Sequence, residues 1–297
     1  MVEVSAEGAG APLTSDRQRA VPSAALDGAL LVHVPTEGPP EALRMAIGLA
    51  KPRSTGIIGV GAEAFQPVMF AGMEYMPSSA MQALLDALKR RLDAARDRFF
   101  AETKDLTSPV YWYSADEFPD LAMAWHACGA DWVVAARPPK DSKPALHPSI
   151  SGLIMRTGLP VIVPPSAESS LLARRILIGW RDTREASRAI SDAMPLLTAA
   201  NQVVVVTVEG ETADELGADR LEEVCRRLEH RGCNVTGERV AKGARSVATA
   251  LGRAALDHEA DLLVVGGYAH SRLREWVMGG VTRDLVEACP VTVLFSH

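Results

Sequence analysis

The chain has 297 residues, enough for one large domain or two of ordinary size. Hydrophobic residues make up 47% and charged residues 23%, a globular composition, and the net charge of −6 with a pI near 5.7 argues against a nucleic-acid partner. No apolar run approaches the ~20 residues of a membrane span, so no membrane association is expected.

Met1 to Ser23 lacks a basic segment followed by an apolar core, so it does not read as a signal peptide. It is rich in Ala, Gly, Ser and charge, and residues 1–26 read as a disordered tail. Cys128, Cys225, Cys233 and Cys289 are scattered without a Cys-x-x-Cys pair. They read as ordinary thiols in a reducing cytoplasm, and no metal site is expected.

In chain order, Leu30–Val34 reads as a strand and Pro39–Ala50 as a helix with Leu43, Ile47 and Ala50 on one face. Gly56–Val60 is a second strand, followed by an apolar loop with Met69, Met73 and Met76. Ser78–Glu102 is a long helix, Val110–Tyr113 a strand, Asp116–Cys128 a helix, and Asp131–Ala135 and Pro160–Pro164 are strands. Pro164–Ser170 is a linker by composition.

The order then restarts. Arg175–Gly179 is a strand, Arg184–Leu197 a helix, Gln202–Val208 a strand and Asp214–Arg231 a charged, solvated helix. Asn234–Val240 is a strand, Ser246–His258 a helix, Asp261–Gly266 a strand, Arg283–Cys289 a helix and Pro290–Phe295 a last strand. Asp131 to Pro160 spans 29 residues, as does Asp261 to Pro290; Leu30 to Ile57 spans 27, as does Ile176 to Val203. The matched spacings indicate a duplication, with residues 27–166 and 172–297 as its two domains. Strands and helices alternating at this length require parallel sheets with right-handed crossovers. The predicted fold is therefore α/β, with two tandem doubly wound domains, each on a five-stranded parallel sheet. The linker favours two separate sheets over one continuous ten-stranded sheet.

The chemistry concentrates after the strand ending at Gly266. A glycine turn at the carboxyl end of a parallel strand, beside a helix start, is where α/β sheets hold phosphate. Gly266, Gly267, Gly279 and Gly280 leave backbone N–H groups open to close approach, and His270, Ser271, Val281 and Thr282 add candidate contacts.

This stretch, Gly-Gly-Tyr-Ala-His-Ser followed by Gly-Gly-Val-Thr-Arg, resembles the nucleotide loop of the universal stress proteins. That loop runs glycine, two residues, glycine, nine residues, glycine, then serine or threonine. Gly266 and Gly279 occupy the first and third glycine places, Ala269 stands at the second, and Gly280 replaces the hydroxyl. A methyl at Ala269 costs about 1–2 kcal/mol where φ > 0 is required. The missing hydroxyl costs about 0.5–1.5 kcal/mol. The resemblance also implies an aspartate after the first strand of the domain, facing the base. Arg181 stands at or next to that place, with Asp182 one residue out of register and Trp180 and Val208 flanking. Arg181 either reaches a phosphate or pairs with Asp182 or Glu185 and plugs the crevice.

The first domain has Ala136-Arg137-Pro138-Pro139 where the second has Gly266-Gly267-Tyr268-Ala269, and two prolines delete two N–H donors. It is expected to bind no nucleotide in the family manner, and Arg137, Lys140 and Lys143 read as a solvated basic loop. Single-domain relatives pair through their last strands. The apolar Val161–Val163 and Val291–Val293 are placed to do the same within one chain, as an internal pseudo-dimer that leaves room for a further homodimer.

Gly59-Val-Gly61-Ala-Glu-Ala64 imitates a dinucleotide motif, but Phe65, Gln66 and Pro67 stand where its helix should continue. No matched acid–base pair is visible, so no catalytic residue is assigned and at most slow ATP hydrolysis is expected. The expected role is a cytoplasmic stress-response or regulatory protein whose second domain takes ATP or AMP with Mg. The alternative is a nucleotide-free pseudo-dimeric scaffold for a protein partner.

Overall fold

The computed structural model describes residues 28–65, 78–138, 143–165, 171–209, 217–267 and 280–297. The expected tail, the Met69–Met76 loop, most of the linker and the stretch Tyr268–Gly279 lie outside the described residues.

The first half runs β1 (Ala29–His33), α1 (Glu41–Ala50), β2 (Gly56–Ala62), α2 (Ser78–Thr103), β3 (Val110–Ala115), α3 (Pro119–His126), β4 (Trp132–Val134), α4 (Ile150–Arg156) and β5 (Val161–Val163). The second half repeats it as β6 (Arg175–Gly179), α5 (Arg184–Leu197), β7 (Gln202–Glu209), α6 (Gly217–His230), β8 (Val235–Ala241), α7 (Val247–Asp257), β9 (Leu262–Gly266), α8 (Gly280–Ala288) and β10 (Thr292–Ser296). Helix starts follow local chemistry. Thr183 caps α5 by accepting from the Ala186 N–H, and Ser246 and Ser149 do the same for α7 and α4.

Within each half the strands are parallel, in the order β3-β2-β1-β4-β5 and its repeat. The two halves do not form separate sheets. β5 pairs antiparallel with β10, Val293 opposite Val163 and Phe295 opposite Val161, and the result is one ten-stranded sheet. The expectation of two separate sheets is thereby corrected. A linker in sequence does not prevent edge pairing in space, and two apolar edge strands gain a ladder by meeting. The expected internal pseudo-dimer is what that pairing builds.

Two apolar layers cover the faces, and each runs across the junction. One face packs α1, α2, α5 and α6; the other packs α3, α4, α7 and α8. Because β5 and β10 are antiparallel, the carboxyl ends of the two sets of strands lie at opposite ends of the sheet. The Gly59 and Gly61 run is a packing device: a Cβ at Gly59 would lie 2.6 Å from the Phe99 ring, and one at Gly61 2.6 Å from Trp112.

Candidate functional site

An open parallel sheet binds ligands where neighbouring strands send their connections to opposite faces, at the carboxyl ends. In the second half that crevice lies between β6 and β9, in the first between β1 and β4.

Gly266, at the end of β9, is not an open position for a ligand. A Cβ there would lie 2.6 Å from the Ala186 nitrogen and 2.7 Å from the Glu185 carbonyl carbon. The glycine lets the first turn of α5 seat against the strand. Gly267 is buried; its N–H donates to the Ser296 carbonyl at 2.7 Å, and its own oxygen lies 3.1 Å from His297 Nδ1. Ser296 in turn donates to Asp192 at 2.5 Å, and the Asp192 carbonyl accepts from Trp132 Nε1 of the first half at 3.3 Å. The root of the glycine loop is thus tied to the last residues of the chain and, through α5, to the other half. Ala269, His270, Ser271 and Gly279 lie outside the described residues.

On the far side of that stretch, α8 is already helical at Gly280, the first residue described there, a turn ahead of the expected start at Arg283. Helix propensity alone marks Gly280 as a breaker, but Leu285 and Val286 bury the helix on the sheet and carry it back to the glycine. Among the described residues nothing lies within 4 Å of a Cβ built on Gly280, Val281 packs on the core, and Thr282 is buried. The first described turn of α8, exposed at Gly280 and buried at Thr282, follows the glycine stretch directly in sequence.

At the carboxyl end of β6, Trp180 is 7% exposed and belongs to the core, yet its Nε1 has no hydrogen-bond partner. Thr207, next to it on β7, has an equally orphaned hydroxyl, and Val208 faces the opposite layer. Asp182 turns outward and pairs with Arg220 of α6 at 2.8 Å. It therefore takes neither the base-facing place nor Arg181 as partner. Arg181 is exposed, and its carbonyl accepts from the Thr183 N–H at 2.7 Å. The buried carboxylate near this crevice is Glu185, which accepts from Arg184 Nε at 2.5 Å. Burial pushes the Glu185 carboxyl up, but Arg184, its own N–H and the nearby His297 outweigh that and hold it below the ordinary range. Its spacing from the strand gave no hint of this role, because the turn at Thr183 decides which side chain points inward.

The first-half crevice is closed by side chains. Glu63, 7% exposed, accepts from Thr36 at 2.7 Å and from both ends of the Arg91 guanidinium, Nε at 3.1 Å. Arg98 bonds the Pro35 and Gly38 carbonyls after β1. His33 is fully enclosed with Nε2 unpartnered, and burial beside His147 pushes it down to about 3, so it stays neutral. Thr36, Glu63, Arg91 and Arg98 were not legible as a cluster, since α2 brings Arg91 and Arg98 back over the sheet from far along the chain.

Arg137 is not a solvated loop residue either. Half-buried, at the place corresponding to Gly267, it crosses to the other half and donates to the Cys289 carbonyl at 2.7 Å, at the end of α8. Burial pulls its guanidinium below its ordinary range without neutralising it, so a cation faces the negative end of the helix that carries Gly280. Arg137→Ala should lower stability by about 1.5 kcal/mol, a charged hydrogen bond lost, and urea unfolding checks it. A change within error would show that the strut carries no weight.

Among the described residues no group of three or more His, Cys, Asp or Glu could hold a metal ion, and no helix is long and apolar enough to cross a membrane. Residues 173–297 match the universal stress protein family. The whole chain resembles a universal stress protein of Archaeoglobus fulgidus, at 13% identity over 91% of this chain and 96% of that one, with a TM-score of 0.69. It also resembles a Pseudomonas aeruginosa protein described as a universal stress protein, at 17% identity over 90% and 92%, with a TM-score of 0.57. A universal stress protein in complex with cAMP is 20% identical over 42% of this chain and 97% of its own, at a TM-score of 0.33. No curated protein matches the chain.

Proposed function

From a chain whose residues 173–297 match the universal stress protein family and whose first half repeats the fold of the second, we propose a ligand-responsive regulatory protein with one working crevice. The second half takes an adenine nucleotide, ATP or AMP, with Mg for the triphosphate; the first half is its structural support. The observation that carries this reading is the contrast between the two crevices. The first is filled by Thr36, Glu63, Arg91 and Arg98, while in the second, among the described residues, no such side-chain cluster stands over the close-packed root at Gly266 and Gly267, and Gly280 is exposed.

In this reading the N–H groups of Gly280, Val281 and Thr282 meet the phosphates, Ala269, His270, Ser271 and Gly279 complete the loop, and Arg181 reaches toward the anion. Among the described residues no side chain near the crevice is placed as a base for rapid hydrolysis, and in this reading the ligand acts by occupancy, changing the surface shown to a partner. The four cysteines are free thiols, as a reducing cytoplasm would keep them. A second reading, a scaffold without nucleotide, draws on one specific observation: the buried Glu185 carboxylate near the crevice would repel phosphates that came close.

Thermal unfolding with and without millimolar Mg–ATP separates the two. A ligand at 100 times its dissociation constant adds about 2.7 kcal/mol. Restoring the hydroxyl with Gly280→Ser should enlarge the shift, because that position is open and solvent-exposed. No shift with ATP, ADP or AMP in either protein would favour the scaffold.

A further inference from the structure

We propose that the outer edge of the first half, formed by β3 and the outward flank of α2, binds a second copy of this chain across a two-fold axis. The two edges of the sheet are treated differently. β8 carries Thr236, Glu238 and Arg239 exposed along its length, the charges with which natural proteins blunt an edge. β3, Val-Tyr-Trp-Tyr-Ser-Ala, has no charge; it is hydrogen-bonded to β2 on one side, and among the described residues its other side has no strand partner. Such an edge is a template for another chain.

The helix above that edge shows which chain fits. α2 is 26 residues long, yet its buried residues are Leu88, Ala95, Phe99 and Thr103. Its inner flank is settled by contacts: Arg91 reaches Glu63, Arg98 reaches the segment after β1, and Glu102 meets Arg44 of α1. The opposite flank, facing past β3, carries Gln82, Asp86, Lys89, Asp93, Arg96 and Phe100. These are spaced four, three, four, three and four apart and so form one stripe along the helix, polar except for Phe100. Phe100, toward the end of the helix, is 44% exposed, and Leu85, next to Asp86 toward its start, 37%.

The charges on this stripe read minus, plus, minus, plus. Reversed, the order is plus, minus, plus, minus. An antiparallel copy centred on position 91 therefore sets Asp86 against the second copy's Arg96, Lys89 against its Asp93, and Gln82 against its Phe100, each twice by symmetry. A parallel copy in register would oppose like charges throughout. Within one chain Arg96 lies near Asp93 at 3.3 Å and Gln82 bonds Asp86, so the same side chains would exchange intrahelical partners for intermolecular ones.

Charge complementarity sets orientation and register; the uncharged edge with its three aromatic residues, Leu85 and Phe100 supply the apolar contact. This differs from the β5–β10 junction, which is already occupied within the chain, and is independent of whether nucleotide binds.

Sedimentation velocity on the purified chain at tens of micromolar tests it. The expected mass is that of two chains at low salt, with dissociation favoured as salt rises. Lys89→Asp and Asp93→Lys, each at a position open to solvent or partly so, should each weaken the dimer at least ten-fold. The double exchange K89D/D93K should restore it, with circular dichroism confirming that every variant is folded. A monomeric wild-type chain, a dimer indifferent to the single reversals, or a double exchange that fails to restore it would each overturn the proposal.

Discussion

Gly266→Ala is expected to destabilise the protein by about 3 kcal/mol, while Gly280→Ala, in the same glycine-rich stretch, should stabilise it slightly. At Gly266 the added methyl meets backbone, the Ala186 nitrogen at 2.6 Å and the Glu185 carbonyl carbon at 2.7 Å, and a helix start cannot yield as a flexible side chain would. Relief requires lifting α5 off β9, which disturbs the Ala186, Ala189 and Ile190 layer beneath it. At Gly280 no described residue lies within 4 Å of the new methyl, and alanine in a helix is favoured over glycine by up to about 1 kcal/mol. Urea midpoints at unchanged slope measure both. Loss of binding in a Gly266 variant would therefore report on α5 as much as on ligand. Equal effects at the two glycines would show that α5 is not seated as described.

The second large effect is linked to pH. His33, enclosed and pushed down to about 3, stays neutral in the folded protein throughout the mildly acidic range, while in the unfolded chain it protonates near 6.5. Between those values the unfolded state binds a proton that the folded state refuses. Stability from this group is full above about pH 6.5 and falls as pH drops toward 3. From pH 6.5 to 5.0 the loss is about 2 kcal/mol at 1.36 kcal/mol per unit. Half-buried His126 and His147 are also pushed down by burial and act in the same direction. Replacing His33 with Gln should flatten the curve of stability against pH without removing its slope. An unchanged slope would mean that His33 titrates normally in the folded state.

The architecture was legible because it rests on period and spacing. Arg184–Leu197 reads as a helix in the alternation of strands and helices, and the structure places α5 on those residues. Equal distances between corresponding strands disclosed the repeat. The joining of the sheets was less legible, since pairing of Val161–Val163 with the last strand depends on two segments over a hundred residues apart. The candidate site was legible as a stretch, not as a set of contacts. Gly266 and Gly280 look alike in sequence, yet one is sealed by a helix backbone and the other is exposed, with no described residue within 4 Å of its Cβ position. Asp182 sits one residue from the base-facing place, but the turn before Thr183 sends it to Arg220 and brings Glu185 inward. The closing of the first crevice by Glu63 and Arg91 belongs to tertiary structure alone, because the two meet only once α2 lies across the sheet. Arg137, read from sequence as a loop cation, finds a helix end in the other half that no local pattern could reveal.

The central claim is that one half of a duplicated fold has kept a ligand crevice while the other has been built into its support. Isothermal titration of the full chain with AMP, and with Mg–ATP, counts the sites directly. One site per chain, tightened by Gly280→Ser, is the predicted result. Two sites would show that the first crevice is not closed by Thr36, Glu63 and Arg91, and none with either nucleotide would contradict the assignment of the second half as a nucleotide site.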